Sequence, residues 1–375
     1  MMVRLAALLL LAALAGCSTA SNKLGKDASK LVEFKQSAQL ELRWRANVGD
    51  AGNNILQPAL MPDAVYAANA NGKLFKLQRT TGKRLWRANS GFAISAGVGA
   101  GDGLVLIGGA KGELAAFGED GKLRWQTSLS SEVLNAPQVA DGVVVVRTGD
   151  GRINGLDAAD GKRLWLYERA MPSLIVRSHA GVTIDRGTVY TGFPAGKLAA
   201  ISLATGVVLW ETVVSQPRGN TELERISDII SPPVVDGEQI CAVAFQGRIA
   251  CFGLAQGSLL WSRDLSSDKG MTHSGNSLYV TVDNGAVLAL AKSNGSSMWK
   301  NDQMTLRRIS APLVLGRYLV VGDYEGYLHV LSLDDGALVA RFATGDSPIL
   351  AAPLEMDGGW LVQTHGGGVY SAVLY

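Results

Sequence analysis

One unit of glycine turn and strand recurs along almost the whole chain and limits what the chain can fold into. The unit reads as a glycine turn, an apolar strand, an Asp- and Gly-rich turn, and a strand ending in tryptophan, as in residues 150–165. Its first glycine recurs at Gly72, Gly112, Gly151, Gly196, Gly247, Gly285, Gly326 and Gly367. The tryptophan follows 13 or 14 residues later, at Trp86, Trp125, Trp165, Trp210, Trp261 and Trp299. A period of about 40 residues with several short strands is typical of a β-propeller.

The two ends of the repeat complement each other. The last unit supplies strands near residues 350–353, 360–363 and 368–374, but no outer strand. Residues 40–45 read as an outer strand that carries its tryptophan, Trp44, and lacks preceding partners. Joining the two ends completes an eighth blade and leaves no exposed inner edge. The sequence therefore predicts an all-β, eight-bladed propeller with four-stranded blades over residues 41–375, closed by the N-terminal strand.

Each unit is expected to supply its four strands in a fixed order. Short Ser/Ala/Pro-rich runs, such as residues 134–137 and 309–312, are expected to be the innermost strands, because small residues suit the crowded axis. Runs rich in Val and Tyr, such as residues 143–146, are expected to be the second strands. In the seventh unit Ala340 stands where tryptophan is expected, and the nearby Phe342 is the expected substitute.

The N-terminal residues read as targeting signals. The apolar run of residues 5–14 is too short for a bilayer core that needs about 20 residues, so residues 1–16 are predicted to be a secretory signal peptide. The run ends in Leu14-Ala15-Gly16-Cys17, which resembles the bacterial lipobox and implies lipidation of Cys17; an ordinary cleavage site with a chance cysteine is the alternative. Ser18 after the cysteine implies sorting to the outer membrane. Residues 17–40 are predicted to be a flexible lipidated tether with room for a short helical turn.

Charge and motifs argue against several classes of function. A formal net charge of +2 gives no field for collecting polyanions, so no nucleic-acid partner is expected. The repeat unit that ends in Asp157 to Trp165 resembles that of pyrroloquinoline-quinone (PQQ) dehydrogenase propellers, but this chain lacks their adjacent cysteines and longer blades. No hydrolase or phosphate-binding motif occurs, and no metal-ligand spacing joins the four histidines, His179, His273, His329 and His365. The chain is therefore predicted to be no enzyme, without cofactor or metal, and a quinoprotein-type oxidoreductase is an alternative.

Two cysteines besides Cys17 leave their pairing open. Cys241 and Cys251 flank the turn at Gln246 and Gly247, and an envelope location permits a disulfide. A two-residue turn would place them on opposite faces of the hairpin, and each also suits its position as a small buried side chain.

The repeat is broken in two adjacent places. The spacing from tryptophan to the next turn glycine is 24 to 28 residues elsewhere, but 31 after Trp165 and 37 after Trp210. Such insertions lie in loops on one face of a ring, often its binding face. Residues 169–177 form an apolar run bounded by arginines, as an exposed interaction patch requires, although Leu174 and Val176 could instead belong to the next inner strand. Residues 216–228 could be a short helix folded over the ring.

Both insertions resemble the BamB family of outer-membrane lipoproteins. The resemblance is carried by the lipobox, the ring, and the segments 171–174, 221–228 and 320–329. It implies a non-catalytic scaffold on the periplasmic face of the outer membrane that binds the POTRA domains of the barrel-forming subunit BamA and assists insertion of β-barrel proteins. The residues that match the family's contact loops and are predicted to bind the partner are Leu174, Ile175, Val176, Arg177, Arg225 and Asp228. Ile230 stands where family members can place a second acid.

The expected mechanism is docking. Arg177 and Asp228 would set the orientation by charge, and Leu174 would fill a small desolvated centre. The outer edges of the ring could also receive nascent outer-membrane chains by β-augmentation. The alternative from another class is a periplasmic propeller that binds a peptide or glycan in its central funnel, and the small residues of the inner strands argue against it.

Overall fold

Eight four-stranded antiparallel sheets, the blades, follow one another around a ring. The structure is a computed structural model and describes residues 28–345 and 347–375. The predicted signal peptide and the lipidation site Cys17 lie outside the described residues. Within the described residues no helix is long and apolar enough to cross a membrane.

The first strand is β1 (Leu40–Asn47), and the strands of the blades follow it in sequence order. Blade 1 contains β2 (Ala59–Leu60), β3 (Ala64–Ala68), β4 (Lys73–Gln78) and β5 (Arg84–Asn89). Blade 2 contains β6 (Gly99–Gly101), β7 (Leu104–Gly108), β8 (Glu113–Gly118) and β9 (Leu123–Ser128). Blade 3 contains β10 (Gln138–Ala140), β11 (Val143–Arg147), β12 (Ile153–Asp157) and β13 (Arg163–Tyr167). Blade 4 contains β14 (Val182–Asp185), β15 (Thr188–Phe193), a 3₁₀ turn (Pro194–Gly196), β16 (Lys197–Ser202) and β17 (Val208–Val213).

The second half of the ring repeats this plan. Blade 5 contains β18 (Val234–Asp236), β19 (Gln239–Val243), β20 (Arg248–Gly253) and β21 (Leu259–Asp264). Blade 6 contains β22 (Gly270–Ser274), β23 (Ser277–Thr281), β24 (Val287–Ala291) and β25 (Ser297–Asn301). Blade 7 contains β26 (Leu313–Leu315), β27 (Tyr318–Gly322), β28 (Tyr327–Ser332) and β29 (Leu338–Ala343). Blade 8 contains β30 (Leu354–Met356), β31 (Gly359–Gln363) and β32 (Gly368–Leu374), and β1 is its outer strand.

Closure of the ring by the chain ends is confirmed. Strand β1 pairs antiparallel with β32, from Leu40 opposite Leu374 to Asn47 opposite Gly368. Blade 8 is also joined to blade 1, because the indole nitrogen of Trp44 donates a 2.8 Å hydrogen bond to the carbonyl of Arg79. The eight-bladed, all-β architecture is therefore as the repeat predicts.

Each repeated tryptophan joins its own blade to the next. Trp165 of blade 3 is typical: its indole nitrogen donates a 2.8 Å hydrogen bond to the carbonyl of Leu203 in blade 4. Its ring lies over Gly206, which has a φ of 72°. A Cβ there would lie 2.7 Å from the indole, so the turn needs glycine both for its conformation and for the close approach. Trp44, Trp86, Trp125, Trp210, Trp261 and Trp299 make the equivalent hydrogen bond.

Blade 7 departs from this pattern for a reason that lies in the closure. Ala340 is fully buried and occupies the tryptophan position opposite Val330. Blade 8 has chain ends where the other blades have a turn, and the backbone of Ser37 and Ala38 bonds to the carbonyl beside Ala340, that of Val339. The incoming chain thus occupies the space that a tryptophan would need. Phe342 contacts blade 8 as expected, with its ring 6.4 Å from that of Tyr370.

The expected positions of the innermost strands are wrong by a few residues. Residues 134–137, 309–312 and 350–353 are not strands but lead into β10, β26 and β30. Each segment ends in a proline (Pro137, Pro312 or Pro353), which has no amide to donate to a sheet ladder. The inner strands therefore begin at the residue after the proline.

The cysteines of blade 5 form a disulfide, so the expectation that they lie on opposite faces is wrong. Val243 pairs with Ile249, so five residues separate this last pair of the hairpin, where a two-residue turn would leave two. This odd number places Cys241 directly opposite Cys251, with their Cα atoms 4.1 Å apart. Both side chains are buried.

Candidate functional site

The two long connections lie next to each other on the face of the ring that carries the repeated glycine turns. The first connection, residues 168–181, joins β13 of blade 3 to β14 of blade 4. The second connection, residues 214–233, joins β17 of blade 4 to β18 of blade 5. Both irregular segments therefore border blade 4, and their contacts with each other decide which side chains they expose.

Asp228 ties the two connections together. Its Oδ2 accepts a 2.8 Å hydrogen bond from the amide of Val176 in the first connection. Its Oδ1 accepts a 3.1 Å hydrogen bond from the amide of Ala195 in the 3₁₀ turn of blade 4. Ala195 has a φ of 57°, so this carboxylate also supports an unusual backbone conformation.

The structure places Asp228 beneath the surface. Only 2% of the residue is exposed, and both carboxylate oxygens already accept hydrogen bonds. The expected role in direct charge contact with a partner does not fit this position. Its geometry instead assigns Asp228 to positioning the connections.

Leu174, Ile175 and Val176 lie in the first connection and not in an inner strand. Strand β14 begins only at Val182, so the alternative that Leu174 and Val176 belong to that strand is wrong. Leu174 is 40% exposed, whereas Ile175 and Val176 are half-buried. The latter two line a depression of mixed character, whose other residues include the apolar Met171, Pro194, Ile229 and Ile230 and the charged Glu132, Arg147, Arg177 and Asp228. The exposed leucine and these half-buried apolar side chains form the apolar part of the surface.

Arg177 supplies the charge beside this apolar surface. Its guanidinium donates two hydrogen bonds to the carboxylate of Glu132, Nε to Oε1 at 2.9 Å and Nη2 to Oε2 at 2.8 Å. The carboxylate raises the pKa of Arg177, and 61% of the arginine side chain is exposed. Glu132 belongs to the connection between blades 2 and 3. No pattern in the sequence predicts this pair, because its two residues are 45 positions apart.

The second connection contains a hydrogen-bonded turn and no helix, so the expected helix is absent there. Side-chain hydrogen bonds cap the start of this turn. The Glu224 carboxylate accepts hydrogen bonds from the amides of Asn220 and Thr221, and the Thr221 hydroxyl accepts one from the amide of Glu224. Leu223 at its tip is 67% exposed. Arg225 bonds the carbonyl of Gly219 and pairs with Glu222 at 3.5 Å, so it braces the turn while half of its side chain stays exposed.

Polar contacts beneath the first connection involve His179 of that connection, Asn135 of the connection between blades 2 and 3, and Arg147 of β11. His179 lies against the carbonyl of Leu134 at 2.7 Å, and burial lowers the pKa of its ring. Asn135 donates to the carbonyl of His179. Arg147 bonds the hydroxyl of Thr191 at 3.1 Å, and burial lowers the pKa of Arg147 to about 10, so it stays charged at neutral pH. These residues fix the backbone and leave the outer surface to Leu174 and Arg177.

The arrangement is suited to contact with another macromolecule. Among residues 28–345 and 347–375, no group of three or more His, Cys, Asp or Glu residues could hold a metal ion. The exposed groups of the two connections include the aliphatic Leu174 and Leu223 and the paired Arg177 and Arg225, among other polar side chains. Aliphatic side chains bury area in an interface and arginines form charged hydrogen bonds. We call the exposed residues Leu174, Arg177, Leu223 and Arg225, together with the half-buried Ile175 and Val176, the loop patch.

Comparison with known proteins decides the family. A family model described as "Outer membrane protein assembly factor BamB" matches residues 70–301. The protein of that name from Nitrosomonas eutropha is 40% identical over 355 residues, covering 94% of this chain and 87% of its own length. The one from Burkholderia pseudomallei is 39% identical over 350 residues, 92% of each chain. The chain belongs to the BamB family. Its curated relatives are named assembly factors and not enzymes.

Solved structures agree with this family and separate it from the enzymes of the same fold. BamB from Moraxella catarrhalis superposes with a TM-score of 0.83 at 26% identity, covering 89% of this chain and all of that one. Quinohemoprotein alcohol dehydrogenase from Comamonas testosteroni superposes with a TM-score of 0.74 at 14% identity, over 89% of this chain and 76% of its own. The second likeness shows the propeller fold alone. The PQQ-like repeat in the sequence is therefore a feature of architecture.

Proposed function

We propose that this protein is a non-catalytic scaffold lipoprotein of the outer-membrane β-barrel assembly complex. The loop patch binds the POTRA domains of the barrel-forming subunit, BamA, and assists assembly and insertion of β-barrel proteins. The observation that carries the proposal is the tie from Asp228 to Val176, because it fixes both irregular connections of a BamB-family ring as one exposed surface. A fixed surface binds without the entropic cost of ordering two loops.

The proposed contact divides the work among the patch residues. Leu174 enters an apolar pocket of the partner, and Ile175 and Val176 form the dry surface around it. Arg177 and Arg225 lie at its border, where they meet acidic groups and set the orientation. Asp228 acts from below by holding the backbone of Val176.

The proposed location follows from Cys17. Acyl chains on that cysteine anchor the mature chain in the outer membrane, with the ring on the periplasmic face, because several chains bind a bilayer far more firmly than one. Replacing Cys17 with alanine is expected to move the protein from the outer-membrane fraction to the soluble periplasmic fraction. If the alanine variant still sediments with the membrane in the absence of BamA, the anchor lies elsewhere.

A pull-down of BamA tests the docking surface. An Arg177→Glu variant should capture less BamA than the unchanged protein, because the new carboxylate repels both Glu132 and an acidic partner group. Arg84→Glu is the matched control, since Arg84 is an exposed arginine on the outer strand of blade 1, far from the patch. Capture by Arg177→Glu at the unchanged level would remove Arg177 from the interface.

A second proposed activity is binding of nascent outer-membrane chains at the outer edge of blade 4. Strand β17 pairs only with β16, and its residues Val208, Leu209 and Val213 are exposed. Of the eight outer strands, all within the described chain, β17 alone contains no Lys or Arg; the others carry at least one. Basic residues are a common means of blocking edge-to-edge pairing, so β17 is the edge best suited to accept an added strand.

Photo-crosslinking in cells tests this second activity. A crosslinker at position 209 should capture unfolded outer-membrane proteins, and the same crosslinker at Leu85, the corresponding exposed leucine of β5, should capture far less. Equal capture at the two positions would show that the edge of β17 has no special role.

A further inference from the structure

Residues 29–38 lie on the ring although they precede the first strand. Ser29 starts the segment near the connection between blades 6 and 7: its amide donates to the carbonyl of Thr305 at 3.4 Å. Ala38 ends it on blade 7, where the amides of Ser37 and Ala38 both donate to the carbonyl of Val339, at 2.9 and 3.3 Å. The segment thus crosses the outer edge of blade 7, antiparallel to β29. We call residues 29–38 the strap.

Two arginines hold the backbone of the strap, Arg307 in the connection between blades 6 and 7 and Arg341 in β29. Arg307 donates from Nη1 to the carbonyl of Ser29 at 2.7 Å, and Arg341 donates from Nη2 to the carbonyl of Val32 at 3.0 Å. The guanidinium of Arg341 also lies 5.0 Å from the centre of the Phe34 ring. Charged hydrogen bonds to carbonyls are stronger than neutral ones, and a cation over an aromatic ring adds to them.

Both arginines are positioned by a buried network that does not include the strap. Arg307 is 2% exposed and pairs with Asp323, Nη2 to Oδ2 at 2.7 Å. His329 contacts the same Asp323 oxygen at 2.8 Å, and Arg341 donates to the other ring nitrogen of His329 at 3.3 Å. The receptor for the strap is therefore built into the core of blade 7. Apolar contacts add to it, since Ala38 is buried between blades 7 and 8 and Phe34 packs at the boundary of blades 6 and 7.

We infer that blade 7 is a docking site for the chain's own N-terminal segment, which fixes where the membrane tether leaves the ring. The strap also covers part of the β29 edge, which would otherwise accept another strand. The consequence for the membrane depends on the proposed lipidation of Cys17. An undocked tether from Cys17 to Leu40 could span at most about 80 Å, whereas a tether that ends at Ser29 spans at most about 40 Å. The strap thus halves the reach and moves the point of attachment to the rim between blades 6 and 7.

Hydrogen exchange on the full chain tests the docking without any partner. The amides of Ser37 and Ala38, which donate to the carbonyl of Val339, should exchange more slowly than those of an unstructured peptide. Phe34→Ala, which changes only the strap side, and Arg341→Ala should each speed this exchange roughly tenfold, because each removes the contact between the arginine and the aromatic ring. Arg84→Ala, an exposed outer-strand arginine of blade 1, should leave it unchanged. Exchange of the unchanged strap at the peptide rate would overturn the inference.

Fluorescence energy transfer between a dye on blade 7 and a labelled bilayer tests the consequence. The lipidated Phe34→Ala protein should lie measurably farther from the bilayer surface than the unchanged protein, because its tether is longer. Equal distances would contradict a strap that limits reach. Failure of the protein to bind the bilayer at all would count against lipidation of Cys17, and the exchange result would stand independently of it.

Discussion

The carboxylate of Asp228 and the backbone amide of Val176 are joined by a 2.8 Å hydrogen bond across 52 residues of sequence. This contact makes one surface of two connections that belong to different blade junctions. It also indicates a different role for Asp228, which was expected to contact the partner and instead holds the surface in shape. The first prediction tests that difference.

Replacing Asp228 with alanine should destabilise the fold by about 2–3 kcal/mol, because the amides of Val176 and Ala195 lose their acceptor. Asp228→Asn should lose less, since its amide oxygen still accepts one hydrogen bond. BamA capture should fall in the same order as stability of the connections, measured by chemical unfolding and hydrogen exchange. A variant with unchanged exchange but abolished capture would show that Asp228 contacts the partner directly.

Exchanging the charges of Arg177 and Glu132 separates contact from positioning. Arg177→Glu alone should weaken binding of BamA by about 1–3 kcal/mol. The double variant Glu132→Arg/Arg177→Glu restores the ion pair within the ring but presents the opposite charge at position 177. Binding should remain weak in this variant if Arg177 contacts the partner. Recovery of full affinity, measured by titration calorimetry, would assign the arginine to holding the connection in place.

Much of the architecture could be predicted because the blade unit is repeated along the sequence. The glycine-to-tryptophan spacing repeats with a period near 40 residues, and the unpaired strand around Trp44 matches the missing outer strand after Leu374. Ala340 is understood only from the structure, since the chain entering at Ala38 is far away in sequence. A repeat thus determines what each blade shares, and contacts between distant segments determine where a blade departs from it.

The sequence was enough to locate the candidate site, but not to predict which of its side chains contact each other. The two longer spacings identify the connections, and the exposed Leu174 lies where an interrupted repeat places it. The burial of Asp228 and the pairing of Arg177 with Glu132 depend on how two connections pack against a third. A charged residue in a polar loop looks the same in sequence whether it points to solvent or to backbone amides.

The pairing of the cysteines depended on the number of residues in one turn. A two-residue turn around Gln246 would place the two cysteines on opposite faces of the hairpin. The five residues between the paired Val243 and Ile249 instead place Cys241 opposite Cys251. Reducing the disulfide should lower the free energy of unfolding by about 2–3 kcal/mol, from the entropy of a loop of roughly ten residues. A Cys241→Val/Cys251→Ala variant should be insensitive to reductant, and chemical unfolding with and without reductant measures both. Equal stability of the oxidised and reduced protein would contradict this expectation.

Acidification should destabilise blade 7. Burial lowers the pKa of His329, which contacts Asp323 and Arg341 and lies near Arg307. The unfolded chain takes up a proton at this histidine near pH 6.5 and the folded chain does so only at lower pH, so stability falls as the pH drops through and below about 6.5.

The variant His329→Gln, whose amide can both donate and accept, should show a smaller loss of melting temperature between pH 7.5 and 5. Some slope should persist, because burial also lowers the pKa of His179. The same slope in both proteins would exclude His329 as its source.

Crosslinking from position 174 in living cells is the most direct test of the loop patch as the docking surface. A photoreactive residue in place of Leu174 should capture BamA through its POTRA domains, and the same residue in place of Leu85 of blade 1, which is even more exposed, should not. Capture of BamA from position 85 but not from position 174 would contradict the account.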